Sequence, residues 1–177
     1  MTRLDFSRAL VFAAALSAAG AVHAQDKPDP TSVASAQDIG AQVKAMFSAM
    51  TPGQSFMWQP VLTDGSRIAA LEIWKAPGRP AIHVAEAEYF TVVQGSGTLV
   101  SGGKMVNARL VRPGFVDGDA IDGGTTRTLH AGDTVLIPAG TPHWFGIPNE
   151  PLVLLGIKIP SPPESPQASP PENKPAQ

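Results

Sequence analysis

Apolar residues recur at Ile39, Val43, Met46, Phe47 and Met50, behind Ser35 and Asp38, and Thr51-Pro52-Gly53 ends the run. Steps of three and four positions place them on one face of a helix, with Ser35 and Asp38 as its cap. The pattern predicts one amphipathic helix leading the domain, its Met and Phe stripe packed against a sheet. Beyond it the period changes. Short runs rich in Val, Ile, Leu and aromatic residues occupy 55–62, 67–74, 88–94, 98–101, 134–137, 143–147 and 152–159. Asp64-Gly65 between the first two is a hairpin signal. Many short strands punctuated by Gly and Pro predict an all-β sandwich or barrel. The stretch 102–127 shows no period and is expected to be irregular. Its Asp117, Asp119 and Asp122 read as an acidic surface turn, because no Glu closes them into a calcium loop.

The two ends carry no such pattern. Residues 1–24 combine Arg3 and Arg8, a small apolar run over 9–19, and Val22-His23-Ala24. This predicts a secretion signal cleaved after Ala24, too short to span a bilayer, and hence a periplasmic or secreted protein with no membrane span after cleavage. Residues 25–35 read as a flexible linker and 36–159 as a single domain. Residues 160–177 hold seven of the eighteen prolines among polar residues and read as a disordered Pro-rich tail.

Composition narrows the chemistry. A length of 177 residues with 43% hydrophobic content suits one domain with its own core. Thirteen Lys and Arg against fifteen Asp and Glu give a net charge of −2 without a basic cluster, which argues against nucleic acid as a partner. The absence of cysteine excludes disulfides, thiolate metal sites and thiol nucleophiles. Any metal must therefore be held by His and carboxylates. Of the four histidines, His23 falls in the signal and His130 beside a turn, where exposure is expected.

The most specific motif is Gly132-Asp133-Thr134-Val135-Leu136-Ile137-Pro138-Ala139-Gly140-Thr141-Pro142-His143, a strand closed by a Pro-x-Gly turn that delivers a histidine to the next strand. It resembles the second motif of the cupin superfamily, except that Ile147 stands where that motif ends on Asn. The first cupin motif has a counterpart over 78–95, where Glu88 lies five positions after His83 and seven before Gly95. Its first histidine position falls on Ala81, and Gly78 is closer to it than the motif asks. The resemblance covers residues 80–160. It implies a double-stranded β-helix, the jelly-roll cupin barrel, here with one N-terminal α-helix. It also implies that His83, Glu88 and His143 are three of the four metal ligands of such a barrel.

Strand geometry is compatible with this. Side chains alternate between faces, so Glu88 shares a face with Phe90 and Val92, and His143 with Phe145. Two imidazoles and a carboxylate suit a divalent ion such as Fe, Mn, Zn or Ni while leaving coordination positions open. Two functional readings stand. One is an enzyme of dioxygenase, isomerase or lyase type acting on a small molecule, with a divalent metal on His83, Glu88 and His143 and with Tyr89 or Trp144 on the access route. The other is a metal-free binding module gripping a small ligand with Trp58, Phe90, Trp74 and Trp144, in which Glu88 pairs with Arg79 or Arg67. Pairing into a homodimer through strands fits either reading, and no sequence feature singles out a catalytic residue.

Overall fold

The structure, a computed structural model, describes residues 29–147 and 150–161. The predicted signal, the start of the linker and the tail beyond 161 lie outside these residues. Helix α1 spans Ala36–Ala49. The Ser35 side chain accepts from the Asp38 backbone N–H, and the Asp38 carboxylate accepts from the Ser35 backbone N–H, so two donors at the helix start are satisfied reciprocally. Its apolar stripe buries Val43, Met46 and Met50 against Leu71, Ile73 and Val153.

Thirteen strands follow: β1 (Phe56–Asp64), β2 (Arg67–Trp74), β3 (Ala81–His83), β4 (Glu86–Gln94), β5 (Ser96–Ser101), β6 (Lys104–Val106), β7 (Arg109–Arg112), β8 (Phe115–Asp117), β9 (Ala120–Asp122), β10 (Thr125–His130), β11 (Thr134–Ile137), β12 (His143–Gly146) and β13 (Leu152–Pro160). They form a five-stranded sheet in the order β1-β2-β13-β4-β11 and a six-stranded sheet in the order β10-β5-β12-β3-β8-β7, with β6-β9 as a separate ribbon. The pairings are antiparallel. This is an all-β jelly-roll barrel with one helix. Between the sheets lies a core of Phe90, Val92, Ile137, Leu152 and Leu154 from the first and Leu99, Leu129 and Phe145 from the second. Because α1 covers the outer face of the first sheet, β2 and β13 are buried on both sides. That is why their sequences read as continuous apolar runs.

Three features of the middle differ from expectation. The stretch 102–127 is not irregular: it contains β6 to β9 and the start of β10. No strand is expected over 81–83, where the structure has the three-residue β3, and β13 continues to Pro160, which pairs with Glu86. Gly95 ends β4 with φ of +79°, and a Cβ there would lie 1.9 Å from the Pro151 carbonyl oxygen. Only glycine fits this close approach, so the Gly95-Ser96-Gly97 signal marks the sharp connection from the first sheet to the second.

Candidate metal centre

His83 ends β3, Glu88 lies on β4 and His143 begins β12. The inner faces of two different sheets therefore converge on one point. The ligand atoms of the three side chains all lie within 4.8 Å of one another, and all three residues are buried. Backbone contacts fix this arrangement. Gly140, in the left-handed region with φ of +76°, closes the Pro138-Ala139-Gly140 turn and donates its N–H to the His83 carbonyl oxygen at 2.8 Å. The turn that delivers His143 is thereby tied to the strand that carries His83.

Nδ1 of His143 lies 3.0 Å from the Thr141 carbonyl oxygen, which can only accept. Nδ1 is thereby turned to the carbonyl, and Nε2 faces Glu88, 3.1 Å from its buried Oε2. The other oxygen, Oε1, accepts from Lys158 Nζ at 2.9 Å. Burial opposes ionisation of Glu88, but a hydrogen bond from His143 and the charge of Lys158 prevail and hold its pKa at about 2. His83 is lowered to about 4, first by burial and then by the charge of Lys158, against the pull of Glu88. It is therefore neutral at physiological pH, with Nε2 3.9 Å from Oε2 of Glu88. Two imidazoles and a carboxylate facing one another form a donor set suited to a cation.

The site opens into a cavity of about 460 Å³. Trp58, Trp74 and Trp144 line it, as do Phe115 and Arg112. Phe56, Trp74, Phe145 and His143 form a series of ring contacts leading inward, with centroid separations of 4.4, 5.9 and 6.2 Å. Trp144 is anchored by its indole N–H, which donates to the Gly78 carbonyl oxygen at 2.9 Å. Phe90 is placed differently: it is 1% exposed, packs edge-on against Phe145, and borders a neighbouring hollow with Glu86 rather than this cavity. Tyr89 does not reach the access route. It is exposed on the opposite face of β4, as its position next to Glu88 requires.

Other expectations resolve against the geometry as follows. Ala81 sits directly opposite His143 in the β3–β12 pairing and lines the cavity, so the place of the missing histidine is filled by a methyl group beside the ligands. The partner of Glu88 is neither Arg79 nor Arg67 but Lys158, its direct cross-strand neighbour. Arg79 instead pairs with Asp117 and Asp119, which also bind Arg109, so these acidic residues are neutralised by arginines. His130 is exposed. Sequence reasoning missed Lys158, Glu72 and Arg112. Glu72 accepts from the Trp74 indole at 3.0 Å, and burial followed by the charge of Glu88 raises its pKa.

No protein-family profile matches the sequence, and no curated protein matches it. Solved structures do match. The DMSP lyase DddQ from Ruegeria pomeroyi is 18% identical with a TM-score of 0.47, over 76% of this chain and 68% of that one. TT1209 from Thermus thermophilus is 16% identical with a TM-score of 0.46, over 68% and 95%. The cupin domain of Schizosaccharomyces pombe Cnp3 is 12% identical with a TM-score of 0.44, over 61% and 63%. Among the described residues the chain itself folds as two antiparallel sheets with one helix. Of the positions singled out in the sequence, His83, Glu88 and His143 are gathered in one buried group, with Ala81 beside them.

Proposed function

We infer that the protein binds one divalent metal ion through His83, Glu88 and His143 and acts on a small molecule admitted by the adjoining cavity. The observation that carries this reading is the convergence of His83, Glu88 and His143, all buried, with ligand atoms within 4.8 Å of one another. Polar groups buried this close together suit a shared cation, which would satisfy all three. A bound ion would be held by His83, Glu88 and His143 and would supply Lewis acidity to a substrate in the cavity. The chain's own part is to keep His83 neutral by burial, to orient the His143 ring through Thr141, and to wall the site with aromatic rings. The reaction, whether of dioxygenase, isomerase or lyase type, is carried out on the substrate at that cavity.

Elemental analysis of untagged protein, beside His143→Ala, tests the reading. About one equivalent of iron, manganese, zinc or nickel, lost in the variant, is the expected result. Absence of metal from both after reconstitution overturns it and leaves a barrel that grips an organic ligand without turnover. On the same reading the working compartment is the periplasm or the exterior, and the isolated protein begins at Gln25. Recovery with residues 1–24 attached contradicts that assignment.

A further inference from the structure

The charged groups around the cavity differ in one respect. Lys158 is engaged by Glu88, and Arg79 by Asp117 and Asp119. Arg112 also lines the cavity, yet it makes no ion pair and no side-chain hydrogen bond among the described residues. It is nevertheless not a random surface arginine. Its guanidinium lies over the Phe115 ring at 4.9 Å from the centroid, and Phe115 in turn packs against His83 at 5.2 Å. β7 and β8 are paired, with Arg112 opposite Phe115, so the backbone holds this stack in place. Stacking on an aromatic face orients the fork of donors while leaving its edge free for an anion.

A second observation concerns the aromatic residues. The chain has three tryptophans, and all three line this one cavity. Trp58 is 44% exposed despite its size, as is expected of a wall that a ligand covers. An apolar wall, an oriented guanidinium and a cation-binding group at the inner end together describe the ligand. We propose that the cavity takes a small organic carboxylate with a flat apolar body, its carboxylate held by Arg112 and its body laid against the tryptophans. A single fork with no further free cation lining the cavity among the described residues suits a singly charged planar carboxylate better than a phosphate dianion, which needs more donors. The proposal rests on the metal reading only for what the ligand's other end meets.

The test uses benzoate, phenylacetate and 3-phenylpropanoate, each beside its primary amide, with binding read by calorimetry and by tryptophan fluorescence. Metal content is measured in every sample. At least one acid is expected to bind wild-type protein, with its amide at least about tenfold weaker. Arg112→Gln should abolish that preference and Arg112→Lys should keep part of it. Arg127→Gln, which removes the same charge from β10 away from this cavity, should leave it unchanged. Failure of all three acids to bind, equal binding of acid and amide, or an unchanged preference in Arg112→Gln overturns the proposal. So does displacement of the bound acid by equimolar inorganic phosphate. The comparison is repeated on chelator-stripped protein, where the Arg112 effect should persist. Absence of metal with the Arg112 effect intact defeats the metal reading alone, whereas metal present without the effect defeats only this proposal.

Discussion

Ala81 is the residue whose replacement says most about the site. It faces His143 across the β3–β12 pairing and shares a strand face with His83, so an imidazole at 81 points toward the same centre. Ala81→His should tighten metal binding by at least about tenfold, measured by chelator competition, while narrowing the cavity. The pH dependence is a second prediction at this scale. Because the His83 pKa is about 4 in the fold and 6.5 as a free side chain, the unfolded chain binds a proton that the folded one does not over that interval. Metal-free protein should therefore lose stability as pH falls from 6.5 toward 4. Glu88, lowered from 4.5 to about 2, adds a further loss below that range, since its stabilisation is present above 4.5 and disappears as it protonates. Thermal unfolding of His83→Gln in chelator should show the first loss reduced and the second retained. The convergence of His83, Glu88 and His143 is legible in the sequence because spacing and residue type are both constrained. Lys158 was legible in principle: a lone cation in the apolar strand Leu152–Pro160 demands a buried partner. Arg112 carried no such mark, since its role comes from a ring three positions away in sequence and from a pairing that sequence does not display.

Elements divide in the same way. Strands β2 and β11 were read from sequence with their observed bounds because each presents a long or strongly apolar run. β3, β6, β8 and β9 have three residues each, too few for a period to emerge, and β7 is exposed at every position. Their pairing is dictated by neighbours, not by their own patterning. Helix α1 was legible because cap and stripe agree, and both halves can be tested. Ser35→Ala should cost about 1 kcal/mol by loss of the cap. Met46→Ala should cost about 2–5 kcal/mol, since Met46 has no exposed surface and the sheet beneath it cannot follow a receding side chain. Denaturant unfolding checks both, and neither should alter metal content, because α1 lies on the face of the first sheet opposite the ligands.

At the scale of the whole molecule, barrel closure decides what the local signals mean. Alternation within β4 and β12 says which residues share a face, but only the facing of two sheets brings those faces together. The described residues contain no helix long and apolar enough to cross a membrane. One consequence of the architecture concerns how the sheets stay together. Glu88 belongs to the first sheet, whereas His83 and His143 belong to the second. On the proposed reading, an ion bound there joins distant parts of the chain across the interior and stabilises only the closed form. Hydrogen exchange of the amides in β3 and β12 should slow when metal is added, with little change at the edge strand β1 and none in a His143→Ala variant. On that reading, a chain without cysteine would hold a cross-link between its sheets that a chelator, and not a reductant, opens.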